Sequence, residues 1–172
     1  MVAESKSVGE GRFRASYGRC FEDFEVGHVY EHRPGRTISE ADNTWLTLLT
    51  MNQHPLHFDR EYAAKSEFGQ IVVNSCLTLS LVTGMSVSDV SQKTVANLGW
   101  DNVRLTAPVY LGDTLYAESE VLEKRRSESR AHHGIVRIRT VGRNQDGAAV
   151  IEFERVLLIP CRGHAVDDRI DY

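Results

Sequence analysis

Three long β-patterned segments fill the last third of the chain and constrain its fold more than any other feature. Residues 113–125, 133–143 and 148–159 alternate polar and apolar side chains or run in β-branched ones, with short turn-rich sequences between them. One long apolar segment, expected as a helix over residues 75–91, precedes them. Sequential strands with short loops pair antiparallel and can bury one face against that helix. The sequence therefore predicts an α+β domain in which an antiparallel sheet wraps around a central helix.

Small residues within the expected central helix should let it pack closely on the sheet. These are Ser80, Thr83 and Gly84, beside an apolar face of Leu77, Leu81, Val82, Met85 and Val90. Cys76 lies in the same run and is expected to be a small core residue. A short strand is expected at residues 103–105, between the helix and the long strands.

Two shorter helices are predicted upstream. Ser39 and Asp42 have the spacing of a capping box, so a helix should begin there and end before Pro55. Its apolar stripe is Ala41, Trp45, Leu48 and Leu49. Asp59 can cap a second short helix over residues 60–66.

One domain is expected over residues 17–161, between a flexible leader (1–16) and a polar tail (162–172). The formal net charge of −4 gives no reason to expect nucleic-acid binding. No segment is apolar enough to span a bilayer, and the polar N-terminus lacks the core of a secretory signal. Three widely spaced cysteines favour reduced thiols, and no metal-ligand spacing stands out. A cytoplasmic protein without a metal is therefore expected.

The segment Asn52–Asp59 concentrates chemically useful side chains between two helices. His57 is the best general acid–base candidate, because imidazole exchanges protons most readily near neutral pH. Asn52 can orient a water molecule by both donating and accepting hydrogen bonds. Asp59 could orient His57, although its position suits a helix cap even better. A histidine beside a proline turn is more often structural than catalytic, so these residues alone leave both roles open.

Residues 52–75 resemble the hydratase motif of the MaoC-like family. They read N-x-H-P-x-H-x-D-x-x-Y-A-x-x-x-x-F-G-x-x-V-V-N-S, where the common family form has D-x-N-P-x-H-x-D-x-x-Y-A and then F-G-x-x-I-A-H-G. Residues 107–115, A-P-V-Y-L-G-D-T-L, resemble the family's turn into its first long strand, and residues 24–27 its entry segment. The resemblance spans roughly residues 20–160.

This resemblance implies a hot-dog fold, paired as a dimer, and the reversible addition of water to a 2-enoyl-CoA. His57 falls on the histidine that holds the water together with an aspartate. Ser75 falls on the glycine whose backbone N–H polarises the thioester carbonyl, at a helix N-terminus that favours a developing oxyanion. Coenzyme A is then part of the substrate, and no permanently bound cofactor is expected.

Besides the change to Ser75, the sequence departs from the family pattern at three positions with polar side chains. Asn52 stands in the aspartate's place, His54 in that of an asparagine, and Asn74 in that of a histidine at the helix start. An asparagine cannot act as a base at neutral pH. Either His57 transfers protons alone while Asn52 positions the water, or another carboxylate such as Asp42 reaches the site, or catalysis has been lost. With Asp59, the side chains of His54 and Asn74 are candidates for substrate contacts.

A subgroup of the family resembles this chain in three further motifs: Asn43-Thr-Trp, N-x-x-P-L-H-F-D and Ala-Asn-Leu-Gly-Trp100. That subgroup is associated with mesaconyl-CoA (β-methylmalyl-CoA dehydratase) and itaconyl-CoA hydratases. The resemblance implies a substrate with a second carboxylate, for which Arg36 and Arg104 are the candidate partners.

The densest basic cluster is a candidate for the phosphates of coenzyme A. It consists of Lys124, Arg125 and Arg126, with Arg130 nearby, and could equally be a solvated strand end. Trp45 and Trp100 are expected in the core or a dimer interface. An exposed sheet edge favours a homodimer. Two other functions remain open: a non-catalytic acyl-CoA-binding subunit and a hot-dog thioesterase.

Overall fold

A five-stranded antiparallel sheet curves around one helix in the computed structural model, which describes residues 4–170. The strands are β1 (Glu4–Gly9), β2 (Arg12–Ser16), β3 (Val29–Thr37), β4 (Ala96–Leu105), β5 (Thr114–Arg126), β6 (His133–Arg143) and β7 (Ala149–Pro160). The main sheet has the order β3-β5-β6-β7-β4, and β1 and β2 form a separate hairpin. The predicted α+β architecture and the three long strands are confirmed.

The helices are α1 (Glu40–Leu49), α2 (Arg60–Ala64) and α3 (Ser75–Met85), and the π-helical segment Val87–Ser91 follows α3. Short 3-10 turns occur at Phe21–Asp23, Pro55–His57 and Val166–Asp168. Both predicted caps are present. The backbone N–H of Asp42 donates to Ser39 Oγ at 3.2 Å, and that of Tyr62 donates to Asp59 Oδ1 at 3.0 Å. No helix within residues 4–170 is long and apolar enough to cross a membrane.

The core lies between α3 and the concave face of the sheet. Leu77 and Val82 of α3 pack with side chains from β5 and β7, which include Leu115, Ile151 and Phe153. The helix and the sheet approach closely at Gly142 in β6, where an added Cβ would lie 2.6 Å from a methyl of Val82. A glycine in the sheet, and not one in the helix, therefore permits the close packing.

Three details of the sequence analysis differ from the structure. Gly84 has no atom within 4 Å of the place where a Cβ would be, and Cys76 is exposed, because both lie on the side of α3 that faces away from the sheet. Strand β4 is ten residues long and not three. It is an edge strand whose apolar residues stay exposed, so the usual alternation is missing.

The ends of the chain carry more regular structure than expected. The predicted flexible leader contains the β1–β2 hairpin over residues 4–16, and the polar tail contains the 3-10 turn near its end. Residues 1–3 and 171–172 lie outside the described residues. The division into leader, domain and tail stays a prediction.

The substitution Gly142→Ala should lower the free energy of unfolding by about 1–3 kcal/mol, because the new methyl overlaps Val82 and forces α3 away from the sheet. Urea-induced unfolding measures the change. The variant G142A/V82A should lose less stability than the sum of its two single substitutions, since the overlap is then relieved. Gly84→Ala is the matched control on an open helix surface. Equal stabilities for G142A and G84A would contradict this account of the packing.

Candidate active site

His57 is half-buried in the 3-10 turn that begins at Pro55. Its Nδ1 lies 2.8 Å from the backbone carbonyl oxygen of Val72. A carbonyl oxygen can only accept, so Nδ1 must carry a proton and donate. In the neutral ring Nε2 is therefore unprotonated and can accept a proton from a bound molecule. The structure thus gives His57 the tautomer that a general base requires.

Two polar residues of α1 hold the His57 turn against the start of α3. Asn43 Nδ2 donates to the backbone carbonyl of His57 at 2.7 Å, and Asn43 Oδ1 accepts the backbone N–H of Asn74 at 2.8 Å. Asn74 Nδ2 in turn donates to Thr47 Oγ1 at 3.1 Å. Asn43 and Thr47 are 1% and 0% exposed. Because both ends of the buried Asn43 amide are satisfied, it fixes the two segments relative to each other.

The orientation of α1 reverses the usual burial pattern of an amphipathic helix. Its polar residues Asn43 and Thr47 face inward, whereas Trp45 and Leu49 of the predicted apolar stripe are 78% and 82% exposed. Trp45 is therefore not a core residue within this chain. Sequence reasoning missed the role of Asn43, because α1 carries polar residues on more than one face and their spacing alone does not show which face turns inward.

The N-terminus of α3 presents a free backbone donor. Asn74 caps the helix, because its Oδ1 accepts the N–H of Cys76 at 2.9 Å. The N–H of Ser75 has no hydrogen-bond partner within residues 4–170. Ser75 lines a cavity of about 320 Å³. The other lining residues are Phe68, Val72, Val73, Thr78, Leu105, Thr106, Ala107, Pro108 and Val109. A free N–H at a helix N-terminus suits a developing negative charge on a carbonyl oxygen.

Two of the predicted substrate contacts cap helices. Asn74 is buried and its amide oxygen and nitrogen are each hydrogen-bonded within the chain, so a direct contact with a ligand does not fit its placement. Asp59 uses Oδ1 to cap α2. It is not the group that orients His57, since the carbonyl of Val72 has that role.

Asn52 and His54 shape the turn before His57. Asn52 Oδ1 accepts the backbone N–H of His54 at 3.0 Å. His54 Nδ1 accepts the backbone N–H of Leu56 at 3.2 Å, and its ring centroid lies 5.8 Å from that of His57. The amide nitrogen of Asn52 has no hydrogen-bond partner within the described part of the chain, so it can still donate to a ligand. Its role as a water-positioning residue stays a prediction.

Asp42 does not take over the role of the family's aspartate, whose place is occupied here by Asn52. Side-chain and backbone hydrogen bonds from Ser39 hold the pKa of Asp42 below its ordinary value, and Arg36 adds to this effect at 2.8 Å. Asp42 is therefore an ionised helix cap. Arg36 is engaged with this cap, and within residues 4–170 it makes no hydrogen bond or ion pair with the His57 turn.

The remaining basic candidates also lie elsewhere. Arg104 is on the outer face of the sheet, 4.0 Å from Glu152, whereas its neighbour Leu105 lines the cavity of Ser75. Successive residues of a strand point to opposite faces, so Arg104 points away from that cavity. The prediction that it binds the acyl group does not fit this placement.

The cluster of Lys124, Arg125 and Arg126 holds the N-terminal segment. Lys124 donates to the carbonyl of Phe24, and Arg126 packs over the ring of Phe21. Arg125 donates to the backbone carbonyl of Arg126. The cluster is at the end of β5, ten to twelve residues beyond Thr114, which is at most roughly 33–40 Å along the strand from the end nearest to α3's first turn. The predicted contact with the phosphates of coenzyme A therefore does not fit the same chain's His57 site.

A comparison with protein families matches residues 23–143 to the family described as "MaoC like domain". The mesaconyl-CoA hydratase of Cereibacter sphaeroides is 34% identical over 152 residues, which cover 88% of this chain and 44% of that protein. The β-methylmalyl-CoA dehydratase of Chloroflexus aurantiacus is 33% identical over 142 residues, which cover 83% of this chain and 40% of that protein. The chain thus spans less than half the length of these curated relatives.

Solved structures show the same fold. A putative MaoC domain dehydratase from Chloroflexus aurantiacus has a TM-score of 0.80 at 33% identity, covering 84% of this chain and 41% of that chain. An Archaeoglobus structure titled monoamine oxidase regulatory protein has a TM-score of 0.74 at 32% identity, covering 84% and 95%. A Mycobacterium tuberculosis protein described as having a double hot-dog fold has a TM-score of 0.76 at 24% identity, covering 87% and 47%. The predicted hot-dog fold is confirmed.

Asn43→Asp should lower the free energy of unfolding by about 1–3 kcal/mol. The substitution replaces the donor to the His57 carbonyl with a second acceptor and buries a charge. Urea denaturation measures the loss. Gln53→Glu adds the same charge at an exposed position of the neighbouring loop and serves as the control. If both variants are as stable as the parent chain, Asn43 does not join the two segments as described.

Proposed function

The chain belongs to the MaoC-like family, and on that premise we propose that it adds water to, or removes water from, the 2,3 double bond of an enoyl-CoA thioester. The observation that carries the proposal is the state of His57, whose unprotonated Nε2 is available on a turn that Asn43 joins to the N-terminus of α3. The names of the relatives, which are hydratases and dehydratases, support the same reaction.

The chemistry follows from two groups of this chain. His57 Nε2 removes a proton from water while the water oxygen bonds to C3 of the substrate. The electron pair of the C2–C3 double bond forms a double bond between C1 and C2, and the pair of the thioester carbonyl moves to its oxygen, which accepts a hydrogen bond from the N–H of Ser75. The protonated His57 then returns the proton to C2, so that H and OH have been added and the imidazole is neutral again. The reverse sequence removes water. Asn52 takes no proton in this scheme.

The proposed substrate is a branched C4 or C5 dicarboxylyl-CoA such as mesaconyl-CoA or itaconyl-CoA. Support comes from the two relatives with 34% and 33% identity, which are named for mesaconyl-CoA and β-methylmalyl-CoA. Coenzyme A enters as part of the substrate, and the scheme needs no further cofactor. Neither Arg36 nor Arg104 is assigned to the second carboxylate.

We also propose that the working unit is a homodimer. The outer edge of β4 has no partner strand within residues 4–170, and its apolar side chains are exposed. These are Leu98, Trp100, Val103 and Leu105. A second copy would cover this edge. Since Leu105 also lines the cavity of Ser75, the partner would border the site.

Incubation with a panel of enoyl-CoA esters, followed by mass spectrometry, tests the reaction. Mesaconyl-CoA or itaconyl-CoA should gain one water, and crotonyl-CoA is the control without a second carboxylate. His57→Ala should lower kcat/KM at least about a hundredfold, because the acid–base group is lost. His28→Ala removes an exposed imidazole far from the site and should change little. Release of free thiol would instead identify a thioesterase, and tight binding without turnover a non-catalytic subunit.

Light scattering tests the dimer. The parent chain should have twice the mass of one chain, and Val103→Lys should shift it towards the monomer by placing a charge in the apolar edge. Val26→Lys, at another exposed valine, is the control and should stay dimeric. A monomeric parent chain at micromolar concentration would rule out this assembly.

A further inference from the structure

We propose that His54 is a second catalytic residue, which donates a hydrogen bond to the reacting water from the side opposite His57. The inference rests on the proposed hydratase function and deepens it. In the family pattern an aspartate at position 52 helps to hold the water, but here that residue is an asparagine. The proposal gives the water-holding role to the imidazole of His54 instead.

The backbone fixes opposite tautomers in the two rings. The N–H of Leu56 can only donate, so His54 Nδ1 must be an unprotonated acceptor. The proton of the neutral His54 ring is therefore on Nε2. In His57 the carbonyl of Val72 requires the proton on Nδ1, so its Nε2 is the acceptor. His54 thus offers an N–H at Nε2, and His57 offers a lone pair at its Nε2.

The two rings are neighbours. Their centroids are 5.8 Å apart with an interplanar angle of 54°. The proposal places their Nε2 atoms about 5 Å apart, which is the span of two hydrogen bonds through a single water. His54 is exposed and can therefore reach a ligand, and Tyr62 lies edge-on to its ring at 6.1 Å between centroids.

Such a pair would orient the water for attack. The water oxygen accepts from His54 Nε2–H with one lone pair and gives a proton to His57 Nε2. Its other lone pair forms the bond to C3. In the reverse direction His54 holds the departing hydroxyl while the protonated His57 supplies its proton. His54 keeps its own proton throughout, so the balance of the reaction is unchanged.

Asn52 acts on this arrangement through His54. Its Oδ1 accepts the N–H of His54 and so fixes the backbone from which that ring projects. Asn52 is therefore a positioning residue for the pair.

Two nearly isosteric substitutions separate a donor from an acceptor at position 54. In His54→Asn, Oδ1 can still accept the N–H of Leu56 while Nδ2 presents a donor to the water. In His54→Asp, the second oxygen presents an acceptor instead. We expect kcat/KM within about tenfold of the parent for H54N and at least about a hundredfold lower for H54D, with little change in KM. Equal activity of H54N and H54D, whether high or low, would overturn the assignment.

Nuclear magnetic resonance reads the tautomers without a substrate. Nitrogen–proton correlation spectra of the ¹⁵N-labelled chain at a pH of about 9, where imidazoles are neutral, should show His57 protonated on Nδ1 and His54 on Nε2. H54N and His57→Gln variants assign the signals. A proton on Nδ1 of His54 would overturn the proposal even in an active hydratase. If the tautomers are as expected but no enoyl-CoA is hydrated, the proposed function fails, and the catalytic role of His54 fails with it.

Discussion

A single buried amide, that of Asn43, joins the parts of the molecule on which the site depends. It donates to the backbone of the His57 turn and accepts from the backbone at the start of α3. A buried amide is costly unless both its ends are satisfied, so these two bonds determine which face of α1 turns inward. The exposed position of Trp45 and Leu49 follows from this constraint, since the opposite face of a helix cannot also be buried against the same elements.

The long helix has a different relation to each of its neighbours. Against the sheet it packs closely, because Gly142 leaves space for Val82. At its first turn it is held by polar contacts, because its capping residue Asn74 donates hydrogen bonds to Asn43 and Thr47. The packing sets how close the helix lies to the sheet, and the polar contacts set the residue at which it begins. The N–H of Ser75 stays free because Asn74 caps the N–H of Cys76 and not that of Ser75.

Much of the architecture was predictable from local patterns. The capping box of Ser39 and Asp42, the cap at Asp59 and the three long strands all arise from residues close together in sequence. The inward face of α1 was not predictable from periodicity, because its apolar and polar residues both recur at helical spacing. Arg36 and Arg104 failed as acyl-pocket candidates for another reason. Arg36 is placed by its ion pair with the helix cap Asp42, and Arg104 by the face of the strand on which it lies. The charge of a residue indicates neither placement.

Within the candidate site, the sequence singles out His57 and the helix start as candidates but does not supply the tautomers. These depend on Leu56 and Val72, which contribute only main-chain atoms. Any residue type except proline has the N–H needed at position 56, and every residue type has the carbonyl needed at position 72. The two hydrogen bonds that set the protonation of the rings therefore do not depend on which side chain, proline at position 56 excepted, occupies either position. The geometry of such a site would be conserved through the backbone conformation. An alignment of residue identities would therefore underestimate how strongly the two tautomers are conserved.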